Sequence, residues 1–445
     1  MAITYDAPSN TITVTGYSEV TPATMADVYA ADVAGGWGVV TEVVADGMYF
    51  IQANLQVGDN INATYFILQA NEVMRLADDV ILTVLDYAHL QVGALENDRG
   101  QNGGVLILGA MSVATVTNLL SGAHASLRLY GSFFAAGVNH RLVVRLGAFE
   151  MIDSTWKQAW TGSGTSDLYL NTLQECTIYG SIFTNLSVGI VLQSNIFNFE
   201  KSAILKSGSA FGISQNGATR TAYNLDAENC PLLVNCGTLN SSVTLIDPIV
   251  QVTQSQVNTG VSGYVYLKYT VDVNVADRNG EALSGVTVGW ADSRGNGGSD
   301  VTDANGNVDF TLLSKQWVGI SEDETDFNDF IFTISKSGYE TLTLENITID
   351  SPIDWHLELQ DKIVYPIASD VESGTTFGPS GVSVGTLIQP AIYNVKSGAT
   401  YGGDGSEFTG IYAQTNWPLS IAINSGVTNI VCTTSSPNIN VVKSS

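Results

Sequence analysis

The chain has 445 residues, of which 44% are hydrophobic and 13% are charged, and its formal net charge is −26. This length accommodates about two to four domains, and the acidic balance excludes nucleic acid as a partner, because a phosphate backbone repels such a surface. The charged fraction is well below the usual value of about 25%, so Ser, Thr, Asn, Gln and the 44 glycines must supply the polar surface, which favours β-structure with many turns.

Residues 1–50 are predicted to cap the N-terminal end of the fold. A strand pattern, "ITYDAPSNTITVTG", precedes a short helical phrase, "TPATMADVYAADVAGG". Thr21 or Thr24 is expected to cap this helix, and Gly35 and Gly36 are expected to end it. The first residues have neither a basic region nor an apolar core, so no signal peptide is expected. No run of about 18 apolar residues predicts insertion into a membrane.

Residues 51–255 consist of short runs that alternate apolar and polar residues, separated by polar or Gly turns. The segments "LYGSFF", "MIDSTW", "IYGSIF" and "VLQSNIF" each place a Ser between apolar anchors, and Ser132, Ser154 and Ser181 lie 22 and 27 positions apart. Repeats of about 20–30 residues with short strands indicate a parallel β-solenoid, in which equivalent side chains stack into ladders. A large antiparallel sandwich or jelly roll is the alternative.

This repeat pattern resembles the right-handed parallel β-helix domains of phage tail fibres, tailspikes and related surface proteins. The resemblance implies an all-β fold whose largest part is a right-handed solenoid. The flat faces of a solenoid bury well against copies of themselves around a three-fold axis, so a homotrimer is expected.

Residues 262–360 read as about seven short alternating strands in roughly 100 residues, which is the pattern of an immunoglobulin-like sandwich. Three phrases, "DRNGEALSGVTV", "TDANGNVDF" and "KSGYE", resemble the carboxypeptidase-regulatory-like, transthyretin-like module in their order and spacing. That resemblance implies a non-catalytic spacer or display module. Trp317 and the acidic insertion "SEDETDFNDF" depart from the short loop of that family.

Residues 361–445 are rich in Gly, Ser and Thr and contain one phrase twice, as "DVESGTTFG" and "NVKSGATYG", 24 positions apart. In each copy Ser-Gly is expected to form a tight turn, and Thr-aromatic to begin a short strand. The copies therefore predict a small stacked β-unit. Brief Gly-flanked strands bury little alone, so a neighbouring subunit or other virion proteins are expected to complete it. The predicted assembly residues are Ser373, Gly374, Phe377, Gly378, Ser397, Gly398, Tyr401 and Gly402.

A polysaccharide depolymerase, either a glycoside hydrolase or a lyase, is the enzymatic alternative for a solenoid. Hydrolysis would need two carboxylates about 5–10 Å apart across a groove. Asp153 and Glu175 lie about one predicted coil apart and are the candidates for such a pair, with ordinary turn or surface carboxylates as the alternative. The four histidines are isolated, and no Ser-His-Asp arrangement can be read from the sequence. The sequence therefore favours a protein without catalytic activity and leaves this pair open.

No cofactor is expected, apart from calcium as the one ion that the sequence favours. The turn "DANGN" and the acidic loop that follows it supply hard oxygen ligands, namely Asp303, Asn305, Asp323, Asp326 and Asp329. A type I′ hairpin turn at Asn-Gly and a solvated loop are the alternatives. The four cysteines fit no zinc pattern. Cys230 and Cys236 could pair, or the cysteines are small buried residues.

A nearly all-β chain that joins a solenoid, an immunoglobulin-like module and a repeated Gly-rich tail, without an export signal, is typical of a phage virion surface protein. Such proteins reach the exterior by lysis. The expected role is adhesion to a host-surface glycan or receptor, or particle assembly, as a tail fibre, a tailspike-like protein, a head fibre or a decoration protein. A depolymerase and a cellular surface adhesin or S-layer-like protein are the alternatives.

Overall fold

The chain folds as an all-β protein built around a β-solenoid of about 8 turns, so the fold class expected from the repeats is confirmed. The computed structural model describes residues 1–361, apart from short gaps, and six short strands beyond them. The gaps are 45–46, 70, 98, 102, 112–114, 159–166, 173–175, 187–188, 193–197, 214–218, 237–239 and 320–322. Among the described residues, no helix has the length and apolar character that a membrane span requires.

Three sheets of mainly parallel strands form the walls of the solenoid. From Asn54–Val57 onward the chain passes in turn through sheets A, B and C as far as Ala203–Leu205, the last strand of sheet C, and then alternates between sheets A and B. Sheet A contains, in spatial order, Ala2–Asp6, Thr11–Thr15, Asn54–Val57, Leu82–Val84, Thr115–Ser121, His140–Leu146, Asp167–Thr172, Ile190–Leu192, Ser209–Ile213, Leu232–Asn235 and Val257–Asn258. Sheet B contains Thr64–Leu68, Ala88–Val92, Ser126–Tyr130, Ala148–Ile152, Cys176–Tyr179, Asn198–Glu200, Thr219–Tyr223, Ser242–Ile246, Tyr264–Asp277, Asn307–Val318 and Asp323–Asp326, and Ile353–Leu359 joins it by pairing with Tyr264–Asp277. Sheet C contains Val40–Val44, Met48–Ile51, Val73–Leu76, Val105–Leu108, Phe133–Ala136, Thr155–Gln158, Ile182–Thr184 and Ala203–Leu205.

The interior of the solenoid is filled by stacked apolar side chains, because alternate residues of every strand point inward. In sheet C, Phe134, Trp156 and Phe183 occupy one register position on successive strands and are fully buried. The ring centroids of Phe134 and Trp156 lie 3.9 Å apart, and those of Trp156 and Phe183 lie 6.3 Å apart. Burial of each such side chain contributes about 1.5–3 kcal/mol.

A ladder of buried serines runs along the corner between sheets B and C. The Oγ of Ser154 accepts a hydrogen bond from the N–H of Ser132 (3.0 Å), the Oγ of Ser181 accepts one from Ser154 (3.2 Å), and the Oγ of Ser202 accepts one from Ser181 (3.0 Å). Each hydroxyl also donates to the carbonyl oxygen two residues earlier. The serine ladder predicted from the repeated phrases is therefore present.

The fourth member of this ladder is Ser202, whereas the sequence pattern pointed to the Ser of "VLQSNIF". That phrase begins in the strand Ile190–Leu192, which belongs to sheet A rather than sheet B. The Ser itself lies outside the described residues.

The residue before each ladder serine has a left-handed backbone, and two later coils repeat this conformation at the same corner. The φ angle is positive at Gly131, Asp153, Gly180, Lys201, Asn224 and Asp247. Each of these residues donates its N–H to the carbonyl oxygen of a sheet B strand in the next coil. The corner between sheets B and C therefore has one backbone geometry over six consecutive coils.

The N-terminal segment contains the predicted helix, Met25–Gly35. Thr24 caps it rather than Thr21: its Oγ1 accepts the N–H of Asp27, and the Asp27 carboxylate accepts the N–H of Thr24. Gly36, with a φ of 63°, ends the helix. Sheets A and C each begin with an antiparallel pair at this end, formed by Ala2–Asp6 with Thr11–Thr15 and by Val40–Val44 with Met48–Ile51.

Sheet B continues without a break from the solenoid into the C-terminal unit. The first half of the 14-residue strand Tyr264–Asp277 pairs in parallel with the solenoid strand Ser242–Ile246. Its second half pairs in parallel with Ile353–Leu359, and its other edge pairs with Asn307–Val318. At the domain boundary expected between residues 255 and 262, the two units are thus joined by a shared sheet and not by a linker.

The C-terminal unit consists of two sheets that contact each other. Sheet B supplies one of them, and the other, sheet D, contains in spatial order Gly297–Val301, Thr287–Ala291, Phe330–Ser335 and Leu342–Ile347. The rings of Trp355 in sheet B and Phe332 in sheet D meet edge to face, with centroids 4.9 Å apart. The immunoglobulin-like sandwich that the strand pattern predicts for this unit stays a prediction.

The repeated tail phrase forms paired strands. Thr376–Phe377 lies parallel to Thr400–Tyr401, with Phe377 opposite Tyr401, which is the register that the repeat predicts. Two further parallel pairs follow, Phe408–Thr409 with Ile430–Val431 and Leu419–Ile423 with Ile439–Lys443.

Cys230 and Cys236 do not pair, so of the two alternatives the structure agrees with small buried cysteines. Both thiols are free and buried. The Sγ of Cys230 donates to the carbonyl oxygen of Ile204 (3.1 Å), and the N–H of Cys236 donates to the carbonyl oxygen of Asn258 (2.8 Å). Each cysteine is thus hydrogen-bonded to a neighbouring coil. Burial raises the pKa of the Cys236 thiol to about 11, which keeps it protonated and unreactive.

Candidate functional site

Asp153, one of the two candidate catalytic carboxylates, anchors a hairpin that projects from the solenoid. The hairpin pairs Ala94–Glu96 with Arg99–Gln101. The Oδ2 of Asp153 accepts hydrogen bonds from the Nε of Arg99 (2.8 Å) and the N–H of Gly100 (3.0 Å), and the side chain is only 17% exposed. Glu175, the proposed second carboxylate, lies outside the described residues.

Asp303 and Asn305, two of the five predicted calcium ligands, belong to a tight turn. The Oδ1 of Asp303 accepts the N–H groups of Asn305 and Asn307, both at 2.8 Å. Only Gly306 has a positive φ, of 79°, so the type I′ geometry expected at Asn-Gly is wrong. The turn resembles the alternative in which a left-handed Gly follows a type I turn. Asp277 and Asp292 close two further turns with the same hydrogen bonds.

The other predicted calcium ligands lie in the acidic loop after residue 322. The Oδ1 of Asp326 accepts the N–H of Asn328 (2.8 Å), and Asp329 has a left-handed backbone with a φ of 68°. Asp323 begins the strand Asp323–Asp326, but its side chain is outside what the structure describes. Across the described residues, no group of three or more His, Cys, Asp or Glu side chains is arranged to hold a metal ion. Calcium binding stays a prediction.

Of the eight predicted assembly residues, the structure describes Phe377 and Tyr401, which lie opposite each other in the paired tail strands. The remaining six lie outside the described residues, namely Ser373, Gly374, Gly378, Ser397, Gly398 and Gly402. Their role in assembly stays a prediction.

An acidic row crosses the outer face of the C-terminal unit. Asp272 lies directly between Asp309 and Asp354 on the neighbouring strands. The pKa of Asp272 is raised, mainly by burial and further by the negative charges of Asp309 and Asp354. These carboxylates line a concave site of about 560 Å³ together with His356, whose Nδ1 lies 3.6 Å from Asp354 Oδ1. The row concentrates negative charge where like charges face each other.

A second row of side chains lies on the outward face of sheet B, at the corner with sheet C. We call it the corner row, and the register of successive strands defines it as Tyr130, Ile152, Tyr179, Glu200, Tyr223, Ile246 and Lys268. Each member from Tyr130 to Ile246 stands immediately before a left-handed corner residue. The carbonyl oxygen of every member after Tyr130 accepts the N–H of a corner residue from the preceding coil.

Exposure changes along the corner row. Tyr130 and Ile152 are only 4% and 8% exposed and lie next to the hairpin, whose Gly100 packs against Gly131 and Ile152. Tyr223, by contrast, is 41% exposed. Burial and the neighbouring Glu150 carboxylate, which accepts the Tyr130 hydroxyl proton, raise the pKa of Tyr130. The row is therefore closed beside the hairpin, open from Tyr179 to Tyr223, and closed again at Ile246, which is 7% exposed.

Sequence reasoning did not single out the corner row, although its signal is present in the repeated phrases. In "LYGSFF" and "IYGSIF" the Tyr stands two residues before the ladder Ser. Once the Ser is assigned to the buried corner, the residue two positions earlier is the last residue of the sheet B strand, and its side chain faces outward. Applying that offset to Ser202 gives Glu200.

Comparison with known proteins gives no family. No family model and no curated protein matches the chain. Two solved structures are similar over short stretches. The first, 3-chlorocatechol 1,2-dioxygenase from Rhodococcus opacus 1CP, is 15% identical, with a TM-score of 0.16, and the match covers 21% of this chain and 60% of that one. The second, the C-terminal fragment of pilus adhesin SpaC from Lactobacillus rhamnosus GG, is 18% identical, with a TM-score of 0.14 and coverages of 23% and 51%. Likenesses of this size carry no functional conclusion.

Proposed function

We propose that the chain is a non-enzymatic surface protein of a phage particle that holds an adhesive or decorating surface at a fixed position. The strand Tyr264–Asp277 carries this proposal, because it belongs to the solenoid and to the C-terminal unit at once. Domains joined by a linker move relative to each other by default. A shared sheet removes that freedom, which suits a fibre or a decoration protein.

The surroundings of the candidate catalytic and metal-binding side chains support the same reading. Asp153 holds the hairpin through Arg99 and Gly100, and Asp303 closes a turn. Both carboxylates thus have structural partners. The resemblance of the repeats to β-helix domains of phage surface proteins supports placement on a virion, and the flat sheets of the solenoid support a homotrimer.

Labelling of intact particles tests the location. Antibodies raised against the purified full chain are applied to particles from a lysate and to uninfected host cells, and both are viewed by immunogold electron microscopy. Label on particles is expected. Label on uninfected cells would favour a cellular adhesin and contradict the proposal.

Two solution measurements test the other parts. Light scattering of the purified chain is expected to give three times the protomer mass of 47.2 kDa, and a monomer at micromolar concentration would contradict the trimer. Incubation with host polysaccharide is expected to release no new reducing ends. Their release by the wild type, with loss in Asp153→Asn, would instead establish a depolymerase.

A further inference from the structure

We propose that Tyr179, Glu200 and Tyr223, in the open part of the corner row, bind an uncharged polysaccharide chain that runs along the solenoid axis. This inference rests on the proposed surface role and names the ligand class for it. The three side chains occupy one register position on three consecutive strands of sheet B. They therefore lie side by side on a single outward face.

The spacing of the two tyrosines suits a sugar chain. Neighbouring strands lie about 4.8 Å apart, so Tyr179 and Tyr223, two strands apart, are separated by roughly 9.6 Å. In a two-fold, β-1,4-linked pyranose chain every second ring presents the same face, and this repeat is close to two strand spacings. Two aromatic rings at this distance can therefore contact alternate sugars, while Glu200 between them faces the intervening ring.

Polar groups beside the tyrosines supply hydrogen bonds to sugar hydroxyls. Two residues earlier on the same three strands, and hence on the same face, stand Thr177, Asn198 and Thr221. Hydroxyl and amide groups both donate and accept hydrogen bonds, and the Glu200 carboxylate accepts them. The site thus combines aromatic rings with hydroxyl, amide and carboxylate groups, which can contact the ring faces and hydroxyls of an uncharged sugar chain, and Lys201 Nζ lies 5.2 Å from the centroid of the Tyr179 ring.

The charges favour an uncharged ligand over an acidic one. The chain carries a formal net charge of −26, which repels polyanions. Lys201 is the cation beside the open row, and its Nζ is already shared between Glu200 Oε1 (3.4 Å) and the hydroxyl of Tyr179 (3.2 Å). The local pair is close to neutral, so it offers no excess positive charge to an acidic polysaccharide.

The backbone of the open part of the corner row is held in place before any ligand binds. The carbonyl oxygens of Tyr179, Glu200 and Tyr223 accept the N–H groups of Asp153, Gly180 and Lys201. The backbone beneath the side chains is thus fixed by inter-coil hydrogen bonds. A binding surface that does not need ordering loses less entropy on association.

Affinity electrophoresis of the full chain through gels that contain hydroxyethylcellulose, glucomannan or β-1,4-galactan tests the proposal, with alginate as the polyanionic comparison. Retardation by at least one uncharged polysaccharide and none by alginate is expected. Tyr179→Ala and Tyr223→Ala should each weaken that binding roughly tenfold or more, as for hot-spot aromatic residues. Tyr→Phe at each position keeps the ring and should change it by less than about threefold.

Tyr87→Ala is the matched control, because Tyr87 is 40% exposed, close to the 41% of Tyr223, but lies outside the corner row. It should bind like the wild type. Absence of retardation across the uncharged panel, or unchanged binding by the Tyr179→Ala, Tyr223→Ala double variant, overturns the proposal. A change in the oligomeric mass of that variant also overturns it, because the row would then be a subunit contact. None of these results bears on immunogold labelling of particles, so the surface role can survive the loss of this site.

Discussion

Trp317 lies directly opposite Val265 across the antiparallel pair that ends the solenoid. Val265 is the last of the inward-facing apolar residues at its register position, next to Val243 of the preceding coil. Partners opposite each other in a sheet share a face, so the fully buried Trp317 covers the end of the solenoid core. Its departure from the short loop of the resembled module thus has a structural reason: it closes the solenoid.

Replacement of Trp317 by Ala should destabilise the protein by about 3–5 kcal/mol, the usual cost of emptying a buried Trp site. Hydrogen exchange should accelerate in the adjoining strands Ser242–Ile246 and Tyr264–Asp277. Trp290→Ala is the control, because Trp290 is half-buried in sheet D and contacts Phe330 away from this end. Equal hydrogen exchange in the two variants would contradict the role of Trp317 in covering the end of the solenoid core.

Ser181→Ala should cost about 1–3 kcal/mol, because it leaves the buried N–H of Ser154 without its acceptor. The exposed Ser299 of sheet D is the control, and its replacement by Ala should change the free energy of unfolding by less than about 0.5 kcal/mol. Urea unfolding of both variants measures the difference. If Ser181→Ala lowers the free energy of unfolding no more than the control does, the serine ladder does not stabilise the fold.

Asp247 joins the solenoid to the C-terminal unit through Thr270. Its carboxylate accepts the N–H (2.8 Å) and the Oγ1 proton (2.9 Å) of Thr270. Asp247→Ala should destabilise the protein by about 2–3 kcal/mol, since it removes both acceptors of a charged group, whereas Asp247→Asn, which tolerates the left-handed backbone, should cost less. Asn224→Ala, at the equivalent corner one coil earlier, reports the backbone strain alone in thermal unfolding. Similar losses of stability in the Asp247→Ala and Asn224→Ala variants would show that the hydrogen bonds between Asp247 and Thr270 contribute little.

Asp272→Asn should stabilise the protein by about 0.5 kcal/mol at neutral pH, because it removes a like charge facing carboxylates on both sides. Since the folded-state pKa of Asp272 is raised, its charged form opposes folding, and the wild type regains stability as the pH falls through that pKa. The advantage of the variant should therefore shrink in acid. Glu358→Gln, whose register partner is Ala276, should show neither effect. Unfolding curves at several pH values decide it.

The sequence was sufficient for features that depend on local pattern. The helix after Thr24, one of the two predicted N-caps, and the serine ladder expected from the repeated phrases are both present. The tail repeat likewise gave the register of Phe377 with Tyr401, since equal phrases stack in equal positions.

Features that depend on which strands become neighbours could not be read from the chain. The salt bridge between Arg99 and Asp153 joins residues 54 positions apart, so Asp153 looked like a free carboxylate in the sequence. The acidic row likewise arises only when Asp272 is placed between two distant strands. The shared strand was hidden for another reason: a solenoid coil and a sandwich strand have the same alternating pattern.

The strand pairing at the junction also determines how the protein would respond to pulling. The solenoid connects to the start of Tyr264–Asp277, and the tail leaves from the end of Ile353–Leu359, which runs parallel to it over seven residue pairs. Tension between the solenoid and the tail would therefore draw two parallel strands past each other. Their inter-strand hydrogen bonds would be stressed in shear, all at once, rather than opened one by one from an end. A particle tethered through this tail would have its mechanical resistance concentrated in those seven pairs.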